Sequence, residues 1–383
     1  MDEEESTALA LFFTWDVSLT LWKERGLLER EIRYYEALAA KGVRVTFLTW
    51  GDERDVALAE DLHKNIDVLP LYTRLPRPAN KPLRAMCSLL APWAARDVLR
   101  KTTFLKTNQM WGGWCAVVAK LCFRKPLIVR TGFELYRFTC QQKSGRWRRG
   151  FVRFISALTY RMADRIYLAT TEDRDFVVQT FHISTTKIAL RPNWIDTDRF
   201  KPLPVPEEEN AILFVGRLTT QKNIPLLIAA VEGTPFRLDI IGDGDLRVEL
   251  EEHARAHNAP VRFLGNIPND RLPDIYNRYP VFVLPSLYEG NPKTLLEAMA
   301  CGRAVVGTDA EGIRALVRDG ENGLLCEFSP DSLRSAMTSL FSAPDFRHKL
   351  GDNARRRIEQ THRLETLVAR ECADYDALAL AQK

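Results

Sequence analysis

Two pairs of charged residues stand where their chemistry would be usable. Glu289 and Glu297 lie in one stretch, Pro285 to Gly302, separated by seven residues. The stretch follows an apolar run, Val281–Leu284, turns at Gly290, Asn291 and Pro292, and continues as a helix-like segment, Thr294–Ala300, for which Pro292 is a suitable opening. Glu289 then falls in the loop and Glu297 about one turn into the helix. The N–H groups of residues 291–295 lack partners inside such a helix, so its start suits a phosphate. A carboxylate further along it can accept hydrogen bonds from a ribose diol. The second pair is Arg217 and Lys222, which follow an apolar run, Ala211–Val215, and Gly216, whose missing side chain lets the backbone turn closely. Two cations ahead of a helix would hold a diphosphate and stabilise its charge as a leaving group. Either stretch alone also reads as a solvated loop. Together, each in a strand–loop–helix setting, they form a joint signal.

The elements that must position these residues repeat along the chain. Ala8–Phe13 reads as a buried strand, and Gly26–Ala40 follows with Leu28, Ile32, Tyr35 and Ala39 at helical spacing, stopped by Gly42. Val43–Thr49, Thr103–Lys106, Pro126–Arg130 and Arg165–Ala169 are further strands, with helices Trp111–Leu121 and Thr171–Phe181 between them. The rhythm breaks near Arg191–Pro202, and residues 202–209 form a Pro/Glu linker. It then restarts: strands Ala211–Val215, Leu238–Ile241, Val261–Leu264, Val281–Leu284 and Ala304–Gly307 alternate with helices Pro225–Val231, Leu246–His257 and Thr294–Ala300. This alternation predicts an α/β chain with two parallel sheets covered by helices. Ligands of such sheets bind beyond the C-terminal strand ends, so two sheets facing each other would enclose a central cleft.

Size and composition agree. At 383 residues the chain suits two domains. Its 46% hydrophobic and 27% charged residues exclude a collagen, a disordered chain and a disulfide-framework peptide. The net charge of +4 conceals an asymmetry: residues 1–192 carry 31 basic and 21 acidic residues, and residues 193–383 carry 23 and 29. Within 68–163 there are 19 basic residues and only two acidic ones, Asp97 and Glu134, which suggests an anionic partner. Seven scattered cysteines without a CxxC pair fit a reducing compartment and buried thiols. The acidic start, Met1-Asp-Glu-Glu-Glu, is unlike a secretory leader, and the longest apolar-looking stretch, Ala85–Ala95, is about half of what a bilayer span needs. The expectation is a cytoplasmic protein.

The two charged stretches, in this order and spacing, resemble the retaining glycosyltransferases of family 4, whose fold is GT-B: two Rossmann-like domains facing a cleft. Further motifs carry the resemblance. They are Asn193-Trp-Ile-Asp196, with Trp194 where the family usually has Gly; Gly242-Asp-Gly244; Asp319-Gly-Glu-Asn-Gly-Leu324; and Gly26 with Glu29, at the place of the family's first glycine-rich loop. The resemblance implies an acceptor-binding domain over 1–195, rejoined by 363–383, and a nucleotide-sugar donor domain over 196–362. It implies that Arg217 and Lys222 bind the donor diphosphate, Glu297 the ribose, and Glu289 the donor sugar in the transition state. Backbone N–H groups near Asn291, Pro292, Lys293, Thr294 and Leu295 would contact phosphates or sugar hydroxyls, with Gly216 and Gly26 giving the diphosphate room. It implies no cofactor and no metal, since cations and helix ends neutralise the leaving group, and no Asp-x-Asp motif stands in a matching loop.

The chain also departs from the family. Many relatives have a His after the strand corresponding to Pro126–Val129; here the run is Arg130-Thr-Gly-Phe-Glu134. Either Arg130 or Glu134 takes over acceptor or sugar contacts, or the run is a strand-end turn. Glu311-Gly-Ile-Arg-Ala315 departs as well, lacking the second Gly and the Glu that relatives often carry.

The basic block bears on the acceptor. Phe151, Phe154, Ile155, Leu158 and Met162 share one helical face, with Arg146, Arg149 and Arg153 on another. Such a helix either lies on an anionic membrane or packs its apolar stripe on its own domain. No nucleic-acid motif accompanies the charge, and no nucleic-acid partner is expected. His253 and His257, an i, i+4 pair, lack a third ligand and read as surface residues. The sequence thus predicts transfer of sugar from a nucleotide-diphospho-sugar to a glycan or lipid-linked glycan, in assembly of envelope polysaccharide such as lipopolysaccharide, cytoplasmic or peripheral on the inner membrane face. A nucleotide-sugar epimerase of the same fold, or a silent nucleotide-sugar or membrane-binding protein, fits the motif combination less well.

Overall fold

A computed structural model describes residues 7–142 and 144–380. The chain divides into two compact units: Met1–Pro192 with Leu367–Lys383, and Asn193–Thr366. These limits lie a few residues from those expected at 195/196 and 362/363. Local bonding explains the shift. Asn193 bonds to Asn291, and Ile195 pairs with the chain around Arg363, all within the second unit.

The first unit is built on a seven-stranded parallel sheet, ordered β3-β2-β1-β4-β5-β6-β7. Its strands are β1 Ala8–Phe12, β2 Arg44–Thr49, β3 Ile66–Pro70, β4 Phe104–Thr107, β5 Leu127–Thr131, β6 Arg165–Leu168 and β7 Ile188–Leu190. The central strands are continuous apolar runs because helices cover both faces. The helix Leu28–Ala40 begins with Glu29 and Glu31, which suit its positive end, and buries Ile32, Tyr35 and Ala39, the residues at helical spacing.

The second unit has a six-stranded parallel sheet, ordered β10-β9-β8-β11-β12-β13. Its strands are β8 Ala211–Val215, β9 Arg237–Ile241, β10 Val261–Gly265, β11 Val281–Leu284, β12 Ala304–Thr308 and β13 Leu324–Cys326. In each unit strand order reverses at one place, between β1 and β4 and between β8 and β11. At such a reversal the loops leaving neighbouring strands splay to opposite faces, which opens a crevice.

The last helix, Leu364–Leu380, is tied to the first unit by charge. Glu371 is 1% exposed and pairs with Lys106 of β4, itself fully buried. Tyr34 Oη donates to the Glu371 carboxylate at 2.6 Å, and the Tyr375 hydroxyl also donates to it. Burial opposes the charge on Glu371, but Lys106 and these hydrogen bonds hold its carboxyl below the usual range. Asp374 binds Arg165 and Arg191 beside it. The seven cysteines are free, but only Cys115, Cys301 and Cys326 are buried, so the expectation of buried thiols holds for three.

Candidate functional site

The second unit's crevice is lined by the loops that follow β8 and β11. Gly216 opens the first loop. Gly242, at φ 132°, passes so close that a Cβ there would lie 1.9 Å from the Gly216 carbonyl oxygen. A Cβ on Gly312 would lie 2.3 Å from the Gly290 carbonyl oxygen and 2.4 Å from that of Glu289. Absent side chains at these two positions therefore let neighbouring loops press on both charged stretches. The segment 311–315, where the family pattern is not followed, keeps its one indispensable glycine.

The two loops are laced together. Leu287 N donates to the Gln221 carbonyl at 2.9 Å, and Gln221 Nε2 donates to the Tyr288 carbonyl at 2.8 Å. Lys222 ends a short 3-10 turn, Thr220–Lys222, and its Nζ lies 2.5 Å from Glu289 Oε1. Ser286 Oγ donates to the same oxygen at 2.6 Å, and Gln221 Nε2 lies 3.4 Å from Oε2. The Lys222 and Glu289 side chains are 12% and 7% exposed, so the pair is accessible at its edge. Arg217 is exposed, and its guanidinium makes no hydrogen bond or ion pair among the described residues.

The helix Lys293–Ala300 starts directly after this loop with Pro292 as its N-cap, and no side chain caps it. Its first-turn N–H groups therefore face the loop without side-chain competition. Leu295 is wholly buried, so only its backbone can serve a ligand. Asn291 is buried, and its Oδ1 accepts from Asn193 N at 2.9 Å while Asn193 Nδ2 donates to the Asn291 carbonyl at 2.6 Å. Lys293 Nζ lies 4.9 Å from the centre of the Trp194 ring, a cation–π contact. The tryptophan in the family's usual glycine position thus forms a shelf for Lys293. Glu297 is 1% exposed and accepts from Tyr276 Oη at 2.9 Å and Asn269 Nδ2 at 3.2 Å. These hydrogen bonds fix the orientation of the carboxylate.

Gln221 and Ser286 adjoin charged residues in sequence and could have been suspected from that. Asn269 and Tyr276 come from another loop and helix, and no spacing signals them.

In the first unit, Gly26 sits exposed at φ 63° between the helices Leu19–Glu24 and Leu28–Ala40. Arg130 is half-buried on β5, 6.0 Å from the Tyr34 ring centre. Glu134 caps the helix Leu135–Gln141: its Oε2 accepts from Arg137 N at 2.5 Å and its Oε1 from Tyr160 Oη at 3.2 Å. Burial pushes its carboxyl up from 4.5 to about 7. Glu134 thus serves as the N-cap of the helix that follows β5.

The amphipathic helix Arg146–Met162 divides differently from the expected stripe. Ile155 is buried, together with Val152, Ser156, Thr159 and Tyr160, whereas Phe151 and Phe154 are 53% and 63% exposed. The buried row follows i, i+3, i+4, i+7 from Val152; Phe151 and Phe154 lie on the adjacent row, which turns outward. Among the described residues no group of three or more His, Cys, Asp or Glu side chains is placed to hold a metal ion, and no helix is long and apolar enough to cross a membrane.

Sequence and structure comparisons agree with this architecture. Residues 32–194 match the Glycosyl transferase 4-like domain, and residues 196–357 match the Glycosyl transferases group 1 family. The chain belongs to the family 4 glycosyltransferases, with the GT-B fold. An uncharacterised glycosyltransferase of Methanocaldococcus jannaschii is 31% identical over 219 residues, 55% of this chain and 56% of that protein. A Campylobacter jejuni N-acetylgalactosaminyltransferase, whose name gives an undecaprenol-diphosphate-linked glycan as acceptor, is 26% identical over 67% of this chain and 69% of its own. The chain spans about half the length of the first curated relatives it matches. Sucrose-phosphate synthase from Thermosynechococcus elongatus superposes with a TM-score of 0.78 at 20% identity, covering 98% of this chain and 100% of that one. Anabaena HepE in complex with UDP gives 0.76 at 16%, covering 97% and 100%.

Proposed function

We propose that the protein is a retaining, metal-independent glycosyltransferase that moves a hexosyl or related group from a nucleotide-diphospho-sugar to a lipid-linked glycan during envelope polysaccharide assembly. The observation that carries this reading is the convergence of an unpaired Arg217, the Lys222–Glu289 pair and the open start of the Lys293–Ala300 helix at the β8/β11 crevice. The anomeric carbon–oxygen bond to the diphosphate breaks, a bond to the acceptor oxygen forms, and the acceptor hydroxyl's proton passes to the departing diphosphate. Negative charge then accumulates on the diphosphate, where Arg217, Lys222 and the helix N–H groups would meet it. Ser286 and Gln221 remain on Glu289, so Lys222 can turn to a diphosphate without leaving that carboxylate unpartnered. Glu289 would then face the donor sugar and Glu297 the ribose. On this reading the first unit holds the acceptor. The relatives named for undecaprenol-diphosphate-linked acceptors favour a lipid-linked one.

A panel of UDP-, GDP- and ADP-sugars tests the reading. One donor should raise the melting temperature and be slowly hydrolysed to nucleotide diphosphate and free sugar without acceptor. A donor that is bound and returned with altered sugar stereochemistry would favour an epimerase instead, and no shift with any donor would remove the proposal.

A further inference from the structure

The first unit exposes more large apolar side chains than its folding needs, and they are organised. On the helix Arg146–Met162, Trp147, Phe151 and Phe154 are 94%, 53% and 63% exposed and fall at i, i+4, i+7, a single row apart from the buried one. Met86, Leu90 and Trp93, at or between the helices Lys81–Ser88 and Ala91–Ala94, are 67%, 51% and 53% exposed. A packed aromatic seam joins these two places. The Phe151 ring lies 6.4 Å from that of Trp111, Trp111 lies 5.3 Å from Trp114, and Trp114 Nε1 donates to Ser88 Oγ at 2.9 Å. Trp15, from the loop after β1, lies 6.0 Å from Trp114, so the seam reaches the β1/β4 crevice.

Charge identifies the occupant. Arg146, Arg148, Arg149 and Arg153 neighbour the aromatic row, and none pairs with a carboxylate among the described residues. Over 68–163 basic residues outnumber acidic ones 19 to 2. A second copy of this face would bring like charges together. Tryptophan and phenylalanine flanked by arginine suit the level of lipid headgroups, where rings enter the acyl boundary and guanidinium groups stay among phosphates. We propose that this face of the first unit, formed by the Trp147–Phe151–Phe154 row and the Met86–Leu90–Trp93 edge, docks on an anionic lipid bilayer.

Sedimentation of the full chain with phosphatidylcholine vesicles, with and without phosphatidylglycerol, tests this. No nucleotide sugar is present, so failure here leaves the transfer reading standing. Wild-type protein should sediment with the anionic vesicles at low salt and less so at high salt. Replacing Trp147 and Phe154 with Ser should abolish binding at either salt without lowering the melting temperature, because these side chains are exposed and lie outside the aromatic seam. Replacing Arg146, Arg148 and Arg153 with Gln should weaken low-salt binding about a hundredfold and remove most of its salt dependence. Wild-type protein that stays in the supernatant at low salt overturns the proposal. So does a serine variant that binds like wild type, or self-association that the same serine substitutions abolish, which would assign the face to a second copy.

Discussion

Each unit holds a lysine–glutamate pair at its sheet, Lys106–Glu371 in the first and Lys222–Glu289 in the second, and the two are built differently. Lys106 and Glu371 are 0% and 1% exposed, and Tyr34 and Tyr375 complete the carboxylate's shell. Lys222 and Glu289 are 12% and 7% exposed, at the end of a loop beside the unpaired Arg217. A sealed pair cannot exchange partners and serves to fasten the last helix to the first unit. An edge-exposed pair next to a spare cation and an uncapped helix start can admit an anion. What distinguishes the two pairs is access at the strand ends, not residue type, and on the proposed function that access makes the second pair the functional one.

Breaking the sealed pair should have the largest effect. Glu371→Ala leaves Lys106 buried without its partner and should destabilise the first unit by about 3–5 kcal/mol in denaturant titration. Glu289→Ala should move the unfolding midpoint far less, and the reverse ranking would break the comparison. Glu134 sharpens it, being as buried as Glu371 but held by helix N–H groups and Tyr160 in place of a lysine. Its folded carboxyl titrates near 7 rather than 4.5, so the folded state holds the proton longer than the unfolded one. Glu134's own contribution to stability should therefore fall as pH rises from about 4.5 to 7, by roughly 2–3 kcal/mol, and the difference between wild type and Glu134→Gln in melts across the range should show that slope.

Glu297→Gln should weaken binding of the donor nucleotide about 10–100-fold by calorimetry, the worth of a charged hydrogen bond to the ribose. Unchanged affinity would leave Glu297 a buried structural residue that holds Tyr276 and Asn269. The smallest effect is a null one: a chelator should leave donor turnover unchanged, since the cations on this account already neutralise the diphosphate.

Much of the fold was legible because central parallel strands are continuous apolar runs. Ala211–Val215 and Val281–Leu284 were bounded to the residue. The strands β3, β7 and β13 escaped notice. They lie at or next to a sheet edge, and β7 and β13 are only three residues long, too short for a pattern. The charged stretches were legible because each stands between a strand and a helix. What surrounds them was not: Tyr276, Asn269 and Gly312 reach the site from other elements, and only tertiary packing brings them there. The basic helix shows the same limit. Its composition announces an amphipath, but which apolar row turns inward depends on the helices it packs against.

The central claim is that the open pair and its neighbouring arginine hold the donor diphosphate. Its most direct test is the steady-state release of nucleotide diphosphate by Arg217→Ala and Lys222→Ala beside the wild-type protein. Each substitution should cost about 10²–10³-fold in rate, the range for removing one group that stabilises developing charge, while the melting temperature stays near that of the wild type. Near-normal turnover in both variants would contradict the claim.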